Sequence, residues 1–271
     1  QAVSRGLGDV YKRQLVLIVA TSAVSADECV PSPWGADDQI GAANRVTPER
    51  TAAAAKLVKK GISHPLGIVI EPGMPAYPPR YTQLQVVQPN QQFSADLGVG
   101  WEASSNDDVL QMWLGTGPQL DGLGHMGEAG EFYNCNQGKD FSIITGLTKL
   151  DISGIPPMVG RGVMIDIAKQ MGVDSLQAGQ PITSDDIKAA MKSQGVTVGE
   201  GDVVLLHTGY TDATLKQNPS LWAGSIPGIT NEASVFLAGL KPMAVGADTW
   251  GLGAVPPRAG DKIFYLSLIH I

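Results

Sequence analysis

Between residues 162 and 248 three short apolar runs alternate with two helical segments. The runs are residues 162–168 (GVMIDIA), 202–208 (DVVLLHT) and 243–248 (MAVGAD). Each is short, continuous and β-branched, which reads as a buried strand. Residues 184–194 read as a helix, with Thr183 and Asp186 spaced as a capping box in which Asp stands for Glu. Residues 231–240 read as a second helix, closed by Gly239 and Pro242. Strand, helix, strand, helix, strand predicts an α/β fold with a mixed central β-sheet and flanking helices. Such folds place their sites at strand ends, which makes His207 and Asp248 candidates.

The N-terminal half is looser, and here composition matters. The 33 glycines and 18 prolines predict many loops. Thr47-Pro48-Glu49 opens a helix with an N-cap, a Pro at the first position and an acidic first turn, running through residues 52–60 to Gly61. Residues 64–70 (HPLGIVI) and 82–88 read as strands, separated by a loop with four prolines. Residues 108–114 form a strand leading into a glycine-rich stretch. No internal repeat or interior linker divides the chain, so one domain is expected over residues 27–265. Net charge is −7, and no basic stripe is present, which excludes nucleic acid as a partner.

The stretch from residue 114 to 125, LGTGPQLDGLGH, gathers Gln119, Asp121 and His125 among four glycines and a proline. Asp and His four positions apart converge on one point from a helix face or a tight loop. Two readings are open. The pair can be a metal site or an acid–base couple, with His125 moving a proton and Asp121 orienting it or binding metal. It can also be a polar pair that caps turns. One Asp and one His do not make a metal site, which needs three or four ligands. No Gly-x-Ser-x-Gly elbow or phosphate loop is present.

The chain resembles the cyclase family, the metal-dependent hydrolases that include bacterial kynurenine formamidases and isatin hydrolases. The resemblance runs from about Asp37 to Pro257. It is carried by His64-Pro-Leu with Pro72-Gly-Met-Pro75, by Asp121-Gly-Leu-Gly-His125, by LLHTG from Leu205, and by Val245-Gly-Ala-Asp248. It implies a single cyclase-type domain and a hydrolase of a small cyclic amide, formamide or lactone. That chemistry is arylformamidase-like, as in tryptophan catabolism, and acts on carbon–nitrogen bonds other than peptide bonds. The family's metal motif, His-x-Gly-Thr-His-x-Asp-x-x-x-His, falls without a gap on residues 115–125. Its first His lies on Gly115 and its second on Gln119, while Asp121 and His125 are kept. The resemblance therefore implies Asp121 and His125 as catalytic residues, and Asp121 with Gln119 as the remaining metal donors. Two outcomes stay open: zinc or manganese, or no metal. Without a metal, the alternative is a cyclase-like protein that binds a small molecule or catalyses a metal-free step. Family members carry a later His and Glu that complete the site; the chain is expected to end before them, and His270 does not sit in a matching context. A homodimer or larger assembly is implied.

Other side chains are expected around the pocket. Trp250 and Asp248 end a strand, His207 ends another, and Tyr133 follows the central stretch. His64 is read as structural. Residues 15–26 read as part of a signal peptide, with Val24 and Ala26 before a cleavage point, so the protein is expected to be exported, periplasmic or secreted, with no membrane association after cleavage. Residues 1–14 and 266–271 resemble adapter-derived sequence. Cys29 and Cys135 are either a disulfide or two buried thiols.

Overall fold

The computed structural model describes residues 29–87, 91–93 and 103–261. The signal-peptide segment, both terminal stretches and His270 lie outside the described residues. Every element below belongs to the compact unit Pro31–Ile271.

In chain order the strands are β1 (Thr82–Val86), β2 (Gln91–Phe93), β3 (Ala103–Ser105), β4 (Asp108–Met112), β5 (Glu131–Phe132), β6 (Asn136–Gln137), β7 (Ser142–Ile143), β8 (Gly146–Leu147), β9 (Gly162–Asp166), β10 (Pro181–Ile182), β11 (Val203–His207), β12 (Gly228–Ile229) and β13 (Ala244–Ala247). The helices are α1 (Pro48–Ala55), α2 (Gly138–Phe141), α3 (Ile167–Met171), α4 (Ser184–Gln194), α5 (Tyr210–Thr214), α6 (Pro219–Gly224) and α7 (Asn231–Gly239).

The C-terminal half is α/β, as its sequence predicts. Strand β11 lies between β9 and β13 and runs parallel to both. Parallel pairing needs long crossovers, and helices supply them. Residues α3 and α4 contribute lie between β9 and β11, and α5 to α7 lie between β11 and β13. Inward residues Val163, Ile165, Val204 and Leu206 join Ile187, Ala190, Ala233 and Leu237 in one core. Helix α4 begins at the expected capping box: Thr183 accepts from the Asp186 N–H, and Asp186 accepts from the Thr183 N–H at 2.8 Å. It ends at Gly195, whose φ of 65° suits a residue without Cβ.

The sheet strands are buried on one face only. Met164 on β9 is 45% exposed, and Leu205 on β11 faces a cleft. The apolar runs in the sequence read as buried strands, without saying which face is open. Helices cover one face, and the other serves the candidate site.

The remaining strands pair in small sheets. Antiparallel pairs are β1 with β4, β2 with β3, β5 with β6 and β7 with β8, while β10 and β12 are parallel. Residues 64–70, expected as a strand, carry no strand assignment and are largely exposed. Helix α1 starts at its predicted Thr47 cap but stops at Ala55, short of Gly61. Among the described residues no helix is long and apolar enough to cross a membrane. Neither Cys29 nor Cys135 is a free thiol; both are disulfide-bonded.

Candidate active site

Asp121 and His125 sit on a tight loop, not a helix. The His125 N–H donates to the Gly122 carbonyl at 3.0 Å, closing the turn. Leu123, between them, is wholly buried with Ala42, Phe141 and Leu150. The Gly124 N–H donates to the Leu150 carbonyl at 3.0 Å. A Cβ on Gly124 would lie 2.5 Å from Leu147 Cδ1 and 2.9 Å from the Leu150 oxygen, so this position requires glycine. The loop is pinned from inside, and its two functional side chains are turned outward.

They open onto a cleft of about 260 Å³. Gln119, Asp121 and His125 line it together with the β13 residues, Leu205 and Leu252. Thr249, Trp250 and Arg80 complete it. His125 Nε2 lies 3.9 Å from Asp121 Oδ2. Gln119 Nε2 donates to the same Asp121 oxygen at 3.3 Å. A unit-charge pair near 4 Å is worth about 1 kcal/mol in water and about 4 kcal/mol at a protein-surface dielectric. The His125 and Asp121 side chains are 35% and 28% exposed, which favours the lower value. Even with the imidazole charged, the pair therefore adds little to stability.

The structure brings four of the sequence-predicted residues together: Gln119, Asp121, His125 and Trp250 line the cleft. Trp250 is fixed by its indole N–H, which donates to the Trp222 carbonyl at 2.6 Å. Its ring rests against Tyr77, centroids 4.9 Å apart.

The other three lie elsewhere. Asp248 lines a smaller adjoining pocket with Thr211 and Trp222. Its carboxylate accepts from the Thr208 N–H, the Thr208 hydroxyl and the Gly209 N–H at 2.7–2.9 Å. Those bonds hold the turn that follows β11. His207 is not among the residues of the cleft; it lies in an open depression with Asp166, Lys169 and Asp174. Its Nδ1 is 3.0 Å from Asp166 Oδ1, and its Nε2 is 4.0 Å from Asp248 Oδ2. Burial pulls the His207 pKa down, but the Asp166 hydrogen bond and the charges of Asp248, Asp166 and Asp212 outweigh it and raise the value. Tyr133, expected at the pocket, is turned to the segment of Ser32 and Asp38 instead. Its hydroxyl donates to Asp38 at 2.5 Å and lies 2.7 Å from the Ser32 hydroxyl. Burial raises the Asp38 pKa, but bonds from Tyr133, Ser32, Asn44 and the Ile40 N–H together hold it below the usual carboxylate value.

Sequence reasoning passed over Arg80. It ends the proline-rich loop, just before β1, and enters the cleft. A signal was present: Arg80 is the sole Lys or Arg between Lys60 and Lys139.

A family model described as Putative cyclase matches residues 61–254. The chain belongs to the cyclase family. The crystal structure of a novel cyclase is similar at 28% identity, over 82% of this chain and 77% of that one, with a TM-score of 0.71. Isatin hydrolase A from Ralstonia solanacearum is similar at 20% identity, over 77% of this chain and 74% of that one, with a TM-score of 0.51. At that identity the likeness is one of fold. No curated protein matches the chain. The cyclase-type α/β domain expected from the sequence is thus the fold observed.

The resemblance also implies a metal, and the donor set decides how well it fits. Two of the four motif positions carry ligating His or Asp, one is a glycine and one a neutral amide. Among the described residues no group of three or more His, Cys, Asp or Glu is placed to hold a metal ion. A catalytic zinc takes three protein ligands and a water. Asp121 and His125 supply two, and the Gln119 amide nitrogen is turned toward Asp121. These residues do not fit a tightly held zinc or manganese.

Proposed function

We propose that this cleft hydrolyses a small cyclic amide, formamide or lactone, in the manner of an arylformamidase-like enzyme acting on carbon–nitrogen bonds other than peptide bonds. The observation that carries this reading is the Asp121–His125 pair lining one cleft with Trp250, Leu205 and Leu252. Family membership and the fold shared with an isatin hydrolase support it.

The chemistry follows from the two side chains. The neutral His125 imidazole accepts a proton from a water as its oxygen attacks the substrate carbonyl carbon. The carbonyl π-bond opens, and its oxygen takes the negative charge. As the tetrahedral centre collapses, the bond to nitrogen or ring oxygen breaks, and imidazolium returns the proton to the leaving atom. Asp121, 3.9 Å from Nε2, favours the imidazolium that forms in between. Gln119 holds the Asp121 carboxylate by its amide hydrogen bond.

General-base help of this kind contributes about a hundred- to ten-thousand-fold. His125→Ala is therefore expected to lower kcat for a cyclic amide such as isatin by roughly that factor, with a smaller change in KM. Steady-state hydrolysis, followed by ring-opening absorbance, checks it. Unchanged turnover in His125→Ala removes the residue from the mechanism and the reading with it.

A further inference from the structure

We propose that the Arg80 guanidinium has taken over the positive charge of this cleft, making it a metal-free binding site for a small aromatic carboxylate. Arg80 fills space that belongs to the metal motif. A Cβ built on Gly115, the place of the motif's first His, would lie 2.4 Å from Arg80 Nη1 and 2.7 Å from Cζ. A side chain at residue 115 would have to displace the guanidinium from its present place. The arrangement is anchored: Arg80 Nη1 donates to the Gly115 carbonyl at 2.8 Å, across 35 residues of sequence. The Gln119 side-chain oxygen, at the place of the second His, lies 3.1 Å from the same Cβ point. Both motif histidines are thus replaced by groups compatible with a cation beside them, a bare backbone and a neutral amide oxygen.

Among the described residues no carboxylate forms an ion pair with the guanidinium. Asp121, the carboxylate lining the same cleft, is engaged with Gln119 and faces His125. A guanidinium carries five N–H donors in a planar fork, and the Gly115 contact uses one nitrogen. The geometry matches a carboxylate, which binds such a fork through two parallel hydrogen bonds. Beyond the fork, Trp250, Leu205 and Leu252 offer an apolar wall, and 260 Å³ holds a single-ring ligand rather than a large one. The inference goes beyond hydrolysis and stands without it, since it concerns binding alone.

Calorimetric titration of the full chain with benzoate, after dialysis against a chelator, tests the inference. Benzoate should bind one to one and survive the chelator, while the isosteric neutral amide, benzamide, binds roughly tenfold or more weakly. Arg80→Gln should weaken benzoate by roughly tenfold to a hundredfold and erase the preference over benzamide, and Arg80→Lys should keep part of it. Circular dichroism identifies any variant that fails to fold; the benzoate–benzamide comparison on the unaltered chain then decides by itself. Equal binding of the two, or no benzoate binding, overturns the inference. So does stoichiometric zinc in protein purified without chelator, with benzoate binding that depends on it. Turnover enters none of these readouts, so a failed hydrolysis assay leaves this result separate.

Discussion

At the scale of the residue, two glycines of one loop make different demands. A Cβ on Gly122 would meet Ile152 at 3.5 Å, an ordinary contact, whereas one on Gly124 would strike Leu147 and the Leu150 carbonyl. Gly124→Ala should therefore cost about 1–3 kcal/mol, the usual range for overpacking a filled site. Gly122→Ala should cost far less. Thermal melts of the two variants check the difference, and equal shifts would contradict the packing read here. Because Leu123 is the buried anchor of this loop, the same strain displaces Asp121 and His125. The spacing of those two residues was legible in the sequence, and so was their tight-loop alternative to a helix. The need for glycine at 124 in particular was not, since it is set by Leu150, which lies on a later segment.

At the scale of the element, helices and strands with local signals were read well. Helix α4 has its cap, its box and its terminating glycine written within the segment itself. Thr183→Ala should lower stability by about 1 kcal/mol in denaturant titration, the usual effect of removing an N-cap. Residues 64–70 show the opposite case. Their apolar composition resembles a strand, but a strand exists only where a partner edge is free, and no such pairing is made. The end of β13 shows a third. Asp248 lines a small pocket, and its two oxygens also accept from the backbone and hydroxyl that follow β11. Asp248→Ala should destabilise the protein by about 1.5–3 kcal/mol, measured at its denaturation midpoint, because hydrogen bonds to a charged acceptor are lost together. An unchanged midpoint would argue that the turn after β11 is held by other contacts.

At the scale of the whole molecule, the three parallel strands are tied by charge at one end. Asp166 closes β9, His207 closes β11, and Asp248 follows β13; both carboxylates approach the imidazole. The His207 pKa is raised, so its charged form is favoured by folding. Its contribution is complete below the unfolded value near 6.5 and is lost as pH rises through the folded value. The Asp166 pKa is lowered against the opposing effect of burial, chiefly by the His207 hydrogen bond. Its contribution is present above about 3.8 and is lost as pH falls through the folded value. The pair should add most between those limits. With the His207 side chain 38% exposed, solvent screening holds the effect to about 0.2–1 kcal/mol. His207→Gln should flatten the fall in unfolding free energy from pH 6 to pH 8. A slope identical to that of the unaltered chain would rule this linkage out.

By itself the sequence determined what depends on near neighbours: the caps of α1 and α4, the strand–helix order from β9 to β13, and the four-residue step from Asp121 to His125. Hydrogen bonds within a turn and the period of apolar side chains are local, and a linear reading captures them. Only the tertiary structure decided which distant groups share the cleft. It brought Arg80 from the proline-rich loop to Gly115, set β13 and Trp250 in one cleft with Asp121, and turned Tyr133 and His207 to other partners. Those placements follow from packing and charge between segments far apart in the chain. The isolation of Arg80 in the sequence marks it as unusual, but only the tertiary packing says what it faces.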